Sequence, residues 1–278
     1  MSEHGVRPDL YFSADVETDG PVPGIYSLLS FGLTVVGQYD GVSFERLDPR
    51  ERSIYRELRP ISDEFEREAL DVNGLDRERL AQEGMEPTQA MSEAAAWVRE
   101  VSDGHRAVLV AYPVAYDWAF LYWYFGRFVP EGSPFGHSSC LDIRTQYQIL
   151  AGTVFDLSGK SAMPAFLQPR SPHTHNALDD AIEQGELFAN LMEWAVRRRG
   201  RSYGAMPDEA PEPSGSLHES RSLDEGCYQG GLGRGRIRWR PRWLARWKPL
   251  SLPPPPTRPT PPTSTVSCCC TRAAWTRA

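Results

Sequence analysis

Phe12-Ser13-Ala14-Asp15-Val16-Glu17-Thr18-Asp19-Gly20 is the stretch around which the rest of the chain is organised. Leu10 to Ala14 leads in as an apolar run that reads as a buried strand, and Gly20, Pro21, Pro23 and Gly24 break it. Side chains at i and i+2 of a strand point to the same face, so Asp15 and Glu17 project together near the strand's end. Two neighbouring carboxylates repel unless something positive sits between them. A divalent cation held by oxygen ligands is the usual solution.

Outward from that pair, Ile25 to Val36 is β-branched and apolar and predicts a second strand. Gly37 to Arg52 reads as a polar connection, and Ser53 to Arg59 alternates as a third, half-exposed strand. Short connections between three successive strands imply an antiparallel meander. A helix is expected from Ser62, as cap, to Val72, ending near Asn73-Gly74. Another is expected from Thr88 to Val101, with Met91, Ala94, Ala95 and Val98 as its apolar stripe. Ala107-Val108-Leu109-Val110-Ala111 is apolar throughout, the pattern of a strand buried on both faces. Helices follow over Tyr116–Phe128, Thr145–Leu150 and Asn176–Arg198, with residues 152–172 as loop. This order predicts a layered α/β or α+β domain over residues 1–200.

Residues 201–278 differ in kind. Residues 203–235 are rich in Gly, Ser, Pro and Glu and carry no periodicity, so the tail is expected to be disordered. Arg236 to Trp243 mixes Arg with Trp, residues 253–262 are proline-rich, and Cys268, Cys269 and Cys270 are adjacent. Such a tail is either a basic arm that stacks on bases or an extension of little consequence.

Charge divides the same way: residues 1–200 hold 18 Lys/Arg against 31 Asp/Glu, a balance of −13, and the remainder is +6. An acidic body offers no long basic groove for a nucleic-acid backbone, so it is expected to grip only a few terminal nucleotides. Cys140 is the single cysteine before residue 200, which fits a reducing compartment, and a cytoplasmic location is expected. Met1-Ser2-Glu3-His4-Gly5 has no secretory character, and no apolar run reaches the ~18–20 residues that span a bilayer. The expectation is a soluble chain without a membrane partner.

Two further places carry chemistry. Asp117, in Tyr112-Pro113-Val114-Ala115-Tyr116-Asp117-Trp118, stands where a buried strand runs into a helix, where α/β folds gather function. Taken alone it is better explained as a first-turn acid favoured by the helix dipole. In His173-Thr174-His175-Asn176-Ala177-Leu178-Asp179-Asp180, His175 precedes a helix and Asp180 lies about a turn and a half into it. Asp179 points about 100° away from Asp180, so one of the two faces the site.

Together, Asp-x-Glu on the first strand, Asp after the buried strand and His-x-Ala-x-x-Asp-Ala on the last helix resemble the DEDDh family of 3′-to-5′ exonucleases over residues 8–198. The resemblance implies an RNase H-like fold with a central mixed five-stranded sheet, its first three strands antiparallel. Position by position, Asp15, Glu17, Asp117 and Asp180 match the four acids and His175 the histidine; His173 and Asp179 match nothing and stay outside. The family often carries Asn where this chain has Tyr112, and Phe where it has Tyr116.

On this resemblance the four acids hold two divalent ions, and the oxygen-only ligand set favours Mg²⁺ or Mn²⁺. His175 takes the proton of the attacking water; an imidazole of ordinary pKa near ~6.5 suits the task. The terminal nucleotide lies against the chain after Glu17, near Thr18, with Tyr112 and Tyr116 as stacking candidates. The substrate is the 3′ end of single-stranded nucleic acid, RNA or DNA, and a homodimer is left open. A non-catalytic nucleic-acid-binding module and a polymerase-associated proofreading subunit are the alternatives of the same fold.

Overall fold

The structure is a computed structural model and describes residues 7–202. All but the first two residues of the expected tail, 201–278, lie outside the described residues.

The core is a mixed sheet built on two long strands, β1 (Asp9–Thr18) and β2 (Leu28–Tyr39), which pair antiparallel with Asp15 opposite Gly32. β3 (Phe44–Arg46) and β4 (Ser53–Glu57) pair with successive parts of β2 along its other edge. On the far side of β1, β5 (Arg106–Ala111) and β6 (Cys140–Asp142) run parallel to it. The order β3-β2-β1-β5-β6, with β4 beside β2, makes six strands where five are expected. The sixth is β3, three residues inside the polar stretch taken as connection. The antiparallel start, the buried parallel β5 and the flanking helices give the expected RNase H-like α/β fold.

Alternation along β1 divides the interior in two. Phe12, Ala14 and Val16 face α3 (Pro87–Ser102) and α4 (Val114–Phe128), among Met91, Ala94, Phe120 and Phe125. Tyr11 faces the other way, with Val110, onto α5 (Ile143–Ala151) and α6 (Ala177–Ser202), among Tyr147, Leu187, Phe188 and Leu191. Asp15 and Glu17 fall on the α6 side by the same count of two. Each fully buried large apolar side chain in these clusters contributes roughly 1.5–3 kcal/mol of transfer free energy.

Several element starts differ from expectation. The second strand begins at Leu28, not Ile25, because residues 19–27 are held in a turn by Asp19. α1 (Arg67–Asn73) begins five residues after Ser62 and is preceded by Glu66 rather than capped by a serine. Ser62 Oγ instead accepts from the Glu64 N–H, closing a local turn. α2 (Arg77–Glu83), capped by Asp76, is a separate short helix inside the charged stretch. α3 starts at Pro87 itself, which occupies the first helical position where its missing N–H costs nothing, so Thr88 is not the cap. Residues 152–172, expected as loop, carry three short 3₁₀ turns at Phe155–Leu157, Lys160–Ala162 and Ala165–Leu167.

Two glycines seat α6 on the sheet. A Cβ on Gly32 would collide with the Ala177 carbonyl and the Leu178 backbone, and one on Gly185 with Val36. The first helical turn of α6 therefore rests directly on β2 beside Asp15.

Candidate active site

Three elements bring acids to the end of the sheet where β1 and β5 finish. β1 contributes Asp15 and Glu17, both half-buried, with side chains on the α6 face. α6 contributes Asp180 from its first turn, fully buried, while Asp179 beside it is exposed. One carboxylate oxygen from each of Asp15, Glu17 and Asp180 lies within 4.8 Å of the others. α4 contributes Asp117, whose Oδ1 accepts the Val16 N–H at 3.1 Å, between the two acids of β1 in sequence.

The electrostatics follow from crowding. Burial, and then the carboxylates of Asp117, Glu17 and Asp180, hold Asp15 well above the ordinary carboxylate range, against a hydrogen bond from Gln184. Burial together with Asp180 and Asp117 pushes Glu17 up to about 8. Burial pushes Asp117 to about 7, opposed by backbone N–H groups and by the charge of Lys160. Acids kept this close and this dry call for positive charge among them. The ligand atoms of Asp15, Glu17 and Asp180 are all oxygen, a set that fits a hard divalent ion.

His175 has φ of +59°, the left-handed region that a non-glycine residue enters at a cost of roughly 1–3 kcal/mol. Asp180 stabilises that turn: its Oδ1 accepts the Thr174 N–H at 2.7 Å and its Oδ2 the His175 N–H at 2.9 Å. Further back, the carboxylate of Glu186 accepts the Arg170 and Ser171 N–H groups at 2.7 and 2.9 Å, fixing the start of the same loop to α6. The histidine loop thus hangs from two buried carboxylates of one helix.

The expected nucleotide contacts surround the acids. Tyr116 is partly exposed, and its hydroxyl lies 2.6 Å from Thr18 Oγ1. Thr18 is buried, its hydroxyl also donating to the Gly20 carbonyl and its own carbonyl accepting from Asn73. Tyr112 is half-buried, donates its hydroxyl to the Ser158 carbonyl and lies under Lys160, whose Nζ is 5.2 Å from the ring centre.

Two residues here escaped the sequence. Gln184 donates from Nε2 to Asp15 Oδ1 at 2.7 Å and accepts the Tyr112 N–H at Oε1, so it orients the first acid. It follows Asp180 by four, one helical turn, which is the signal that could have found it. Lys160 reaches Glu183 on α6 at 2.5 Å from a loop with no pattern to mark it. His173, set aside as matching no motif, has its Nδ1 3.0 Å from Asp180 Oδ2. Asp19, the third acid of the opening stretch, stays outside the site: it is fully buried and ion-paired with Arg77 at 2.8 Å.

Carboxylates gathered where parallel strands of an RNase H-like sheet end, with a histidine in the loop before the last helix, define the nuclease class of this fold. No family model matches the chain. It is 34% identical over 192 residues to the 3'-5' DNA exonuclease Cap18 of Escherichia coli, covering 69% of this chain and 96% of that one. It is 25% identical over 204 residues to ribonuclease T of Shewanella denitrificans, covering 72% and 85%. The solved nuclease domain of 3'hExo, a DEDDh family member bound to rAMP, superposes with a TM-score of 0.48 at 12% identity over 72% of this chain and 95% of that one. The chain belongs to the DEDDh family of 3′-5′ exonucleases.

Proposed function

We propose that this chain removes nucleoside monophosphates one at a time from the 3′ end of single-stranded nucleic acid, in the cytoplasm, with residues 1–200 as the catalytic domain. The observation that carries the reading is the convergence of Asp15, Glu17 and Asp180 oxygens within 4.8 Å, with Asp117 on the backbone between the first two. These four acids would hold two divalent ions, Mg²⁺ or Mn²⁺, which supply positive charge to the attacking and leaving oxygens of the phosphodiester.

The chain's own residues do the rest. The His175 ring accepts the proton of the attacking water as its oxygen bonds to phosphorus and the bond to the 3′ oxygen breaks. Asp180 fixes His175 by holding the backbone of its loop, and Gln184 fixes Asp15. Glu17, Thr18, Tyr112, Tyr116 and His175 line the terminal nucleotide, Thr18 through its bond to the Tyr116 hydroxyl. The acidic balance of the body supports a grip of a few nucleotides only. DNA is the favoured substrate, since the relative at 34% identity carries that name and the ribonucleases stand at 25%.

Matched single-stranded DNA, single-stranded RNA and duplex, each labelled at the 5′ end, test this in Mg²⁺ or Mn²⁺. The expected result is a ladder shortening from the 3′ end on the single strands, fastest on DNA, weakly dependent on salt and abolished by EDTA. A ladder that survives EDTA, or shortening from the 5′ end, would refute the proposal.

A further inference from the structure

Asp180 belongs to two donor sets at once. On one side its carboxylate joins Asp15 and Glu17; on the other it joins the ring nitrogens of His173 and His175, again with ligand atoms within 4.8 Å of one another. The two sets differ in chemistry. The first is all oxygen and suits Mg²⁺ or Mn²⁺, which prefer hard ligands. The second is two imidazoles and a carboxylate, a combination that favours zinc and the later first-row ions over magnesium.

The geometry of the second set is close to that of a bound ion. His173 Nδ1 stands 3.0 Å from Asp180 Oδ2. Two ligands at about 2.0–2.2 Å from one zinc ion, in its tetrahedral preference, stand only slightly further apart than this. An ion there would sit between the ring nitrogen and the carboxylate oxygen. The left-handed turn at His175 brings its ring against that of His173, with centroids 4.6 Å apart. Both rings are exposed, so the site opens to solvent and leaves a fourth position for water, while Asp180 is fixed and buried on α6. Asp180 keeps its bonds to the Thr174 and His175 N–H groups throughout, because each carboxylate oxygen has two acceptor positions.

We propose that His173, His175 and Asp180 form a second, inhibitory metal site that takes a borderline transition-metal ion such as Zn²⁺. Occupied, it withdraws His175 from the attacking water and ties one carboxylate of the acid cluster to the wrong ion. His173 is the residue that makes the site: without it two ligands remain, too few for a stable zinc centre. The inhibitory consequence rests on the exonuclease reading; the metal-binding geometry does not.

The test uses the full chain with Cys227→Ser, Cys268→Ser, Cys269→Ser and Cys270→Ser, so that thiolates do not compete. Zn²⁺ is titrated by calorimetry into this protein and into the same protein carrying His173→Ala, and Co²⁺ is added as a spectroscopic probe. In parallel, the Zn²⁺ concentration that halves each protein's own Mg²⁺-supported hydrolysis is measured, so differences in basal rate cancel. The expected result is one equivalent of Zn²⁺ whose affinity falls by at least about tenfold in His173→Ala, with the inhibition midpoint moving by the same factor and the visible Co²⁺ bands lost. Equal affinity and equal midpoints in the two proteins would overturn the site. If neither protein hydrolyses nucleic acid in Mg²⁺ or Mn²⁺, the exonuclease reading fails, and the calorimetry still decides whether the metal site exists.

Discussion

Asp15 is pressed by three other carboxylates and held by one amide, and that imbalance sets how the site responds to pH. Glu17 has an ordinary value of 4.5 and is raised to about 8 in the fold; Asp117 goes from 3.8 to about 7. Between those limits the folded protein retains protons that the unfolded chain has released, so stability falls as pH rises through the interval. The melting temperature of metal-free protein is therefore expected to drop between about pH 5 and about pH 8, and Mg²⁺ to restore more of it at the upper end. Glu17→Gln should flatten the slope. A melting temperature that rises over this interval would contradict the crowding. Of these side chains, Asp15 and Glu17 were legible from their spacing of two; helical geometry said only that one of Asp179 and Asp180 faces the site, and the resemblance to the family motif chose Asp180. Gln184 and Lys160 were not: each acts on a partner far along the chain, Gln184 on Asp15 and Lys160 on Glu183, and neither carries a motif. His173 was visible but discounted, because a family pattern gives it no place and only the fold turns its ring to Asp180.

Helix α6 owes its position to residues that have no side chain to offer. Gly32 stands opposite Asp15 in the β1–β2 ladder and touches the first turn of α6, so the distance between Asp15 and Asp180 depends on it. Gly32→Ala forces that turn away from the sheet, with an overpacking cost of about 1–3 kcal/mol. The expected outcome is a lower melting temperature together with weaker Mn²⁺ binding, read by calorimetry; a loss of stability with full Mn²⁺ affinity would show that the seat does not set the site. Among elements, β1, β5, α3 and α6 were plain in the sequence, the strands as apolar runs and the helices as apolar stripes. β3 and β6 were hidden, being three residues long with no alternation to detect. The start of α1 was misplaced because Ser62 has cap chemistry but uses it two residues on, in a turn.

Taken as a whole, the body is acidic, and part of its positive charge is paired within the fold. Arg77 holds Asp19, Arg56 holds Glu93, Arg79 holds Glu57 and Lys160 holds Glu183. On the proposed function, substrate affinity comes from the acid cluster with the ions it would hold and from the few side chains at the strand ends, so the activity is expected to depend on Asp15 and its neighbours. The layered architecture was legible from the order of strands and helices; the way one carboxylate serves both the acid cluster and the histidine loop was not, since it depends on contacts across three elements. The most direct test is the rate at which nucleotides leave the 3′ end of a 5′-labelled single-stranded oligonucleotide in Mg²⁺, wild type against Asp15→Asn. The substitution keeps the shape and the Gln184 partner while removing the charge. The account predicts a loss on the order of a hundred- to a thousandfold with the fold intact by circular dichroism; a rate within a few-fold of wild type would contradict it.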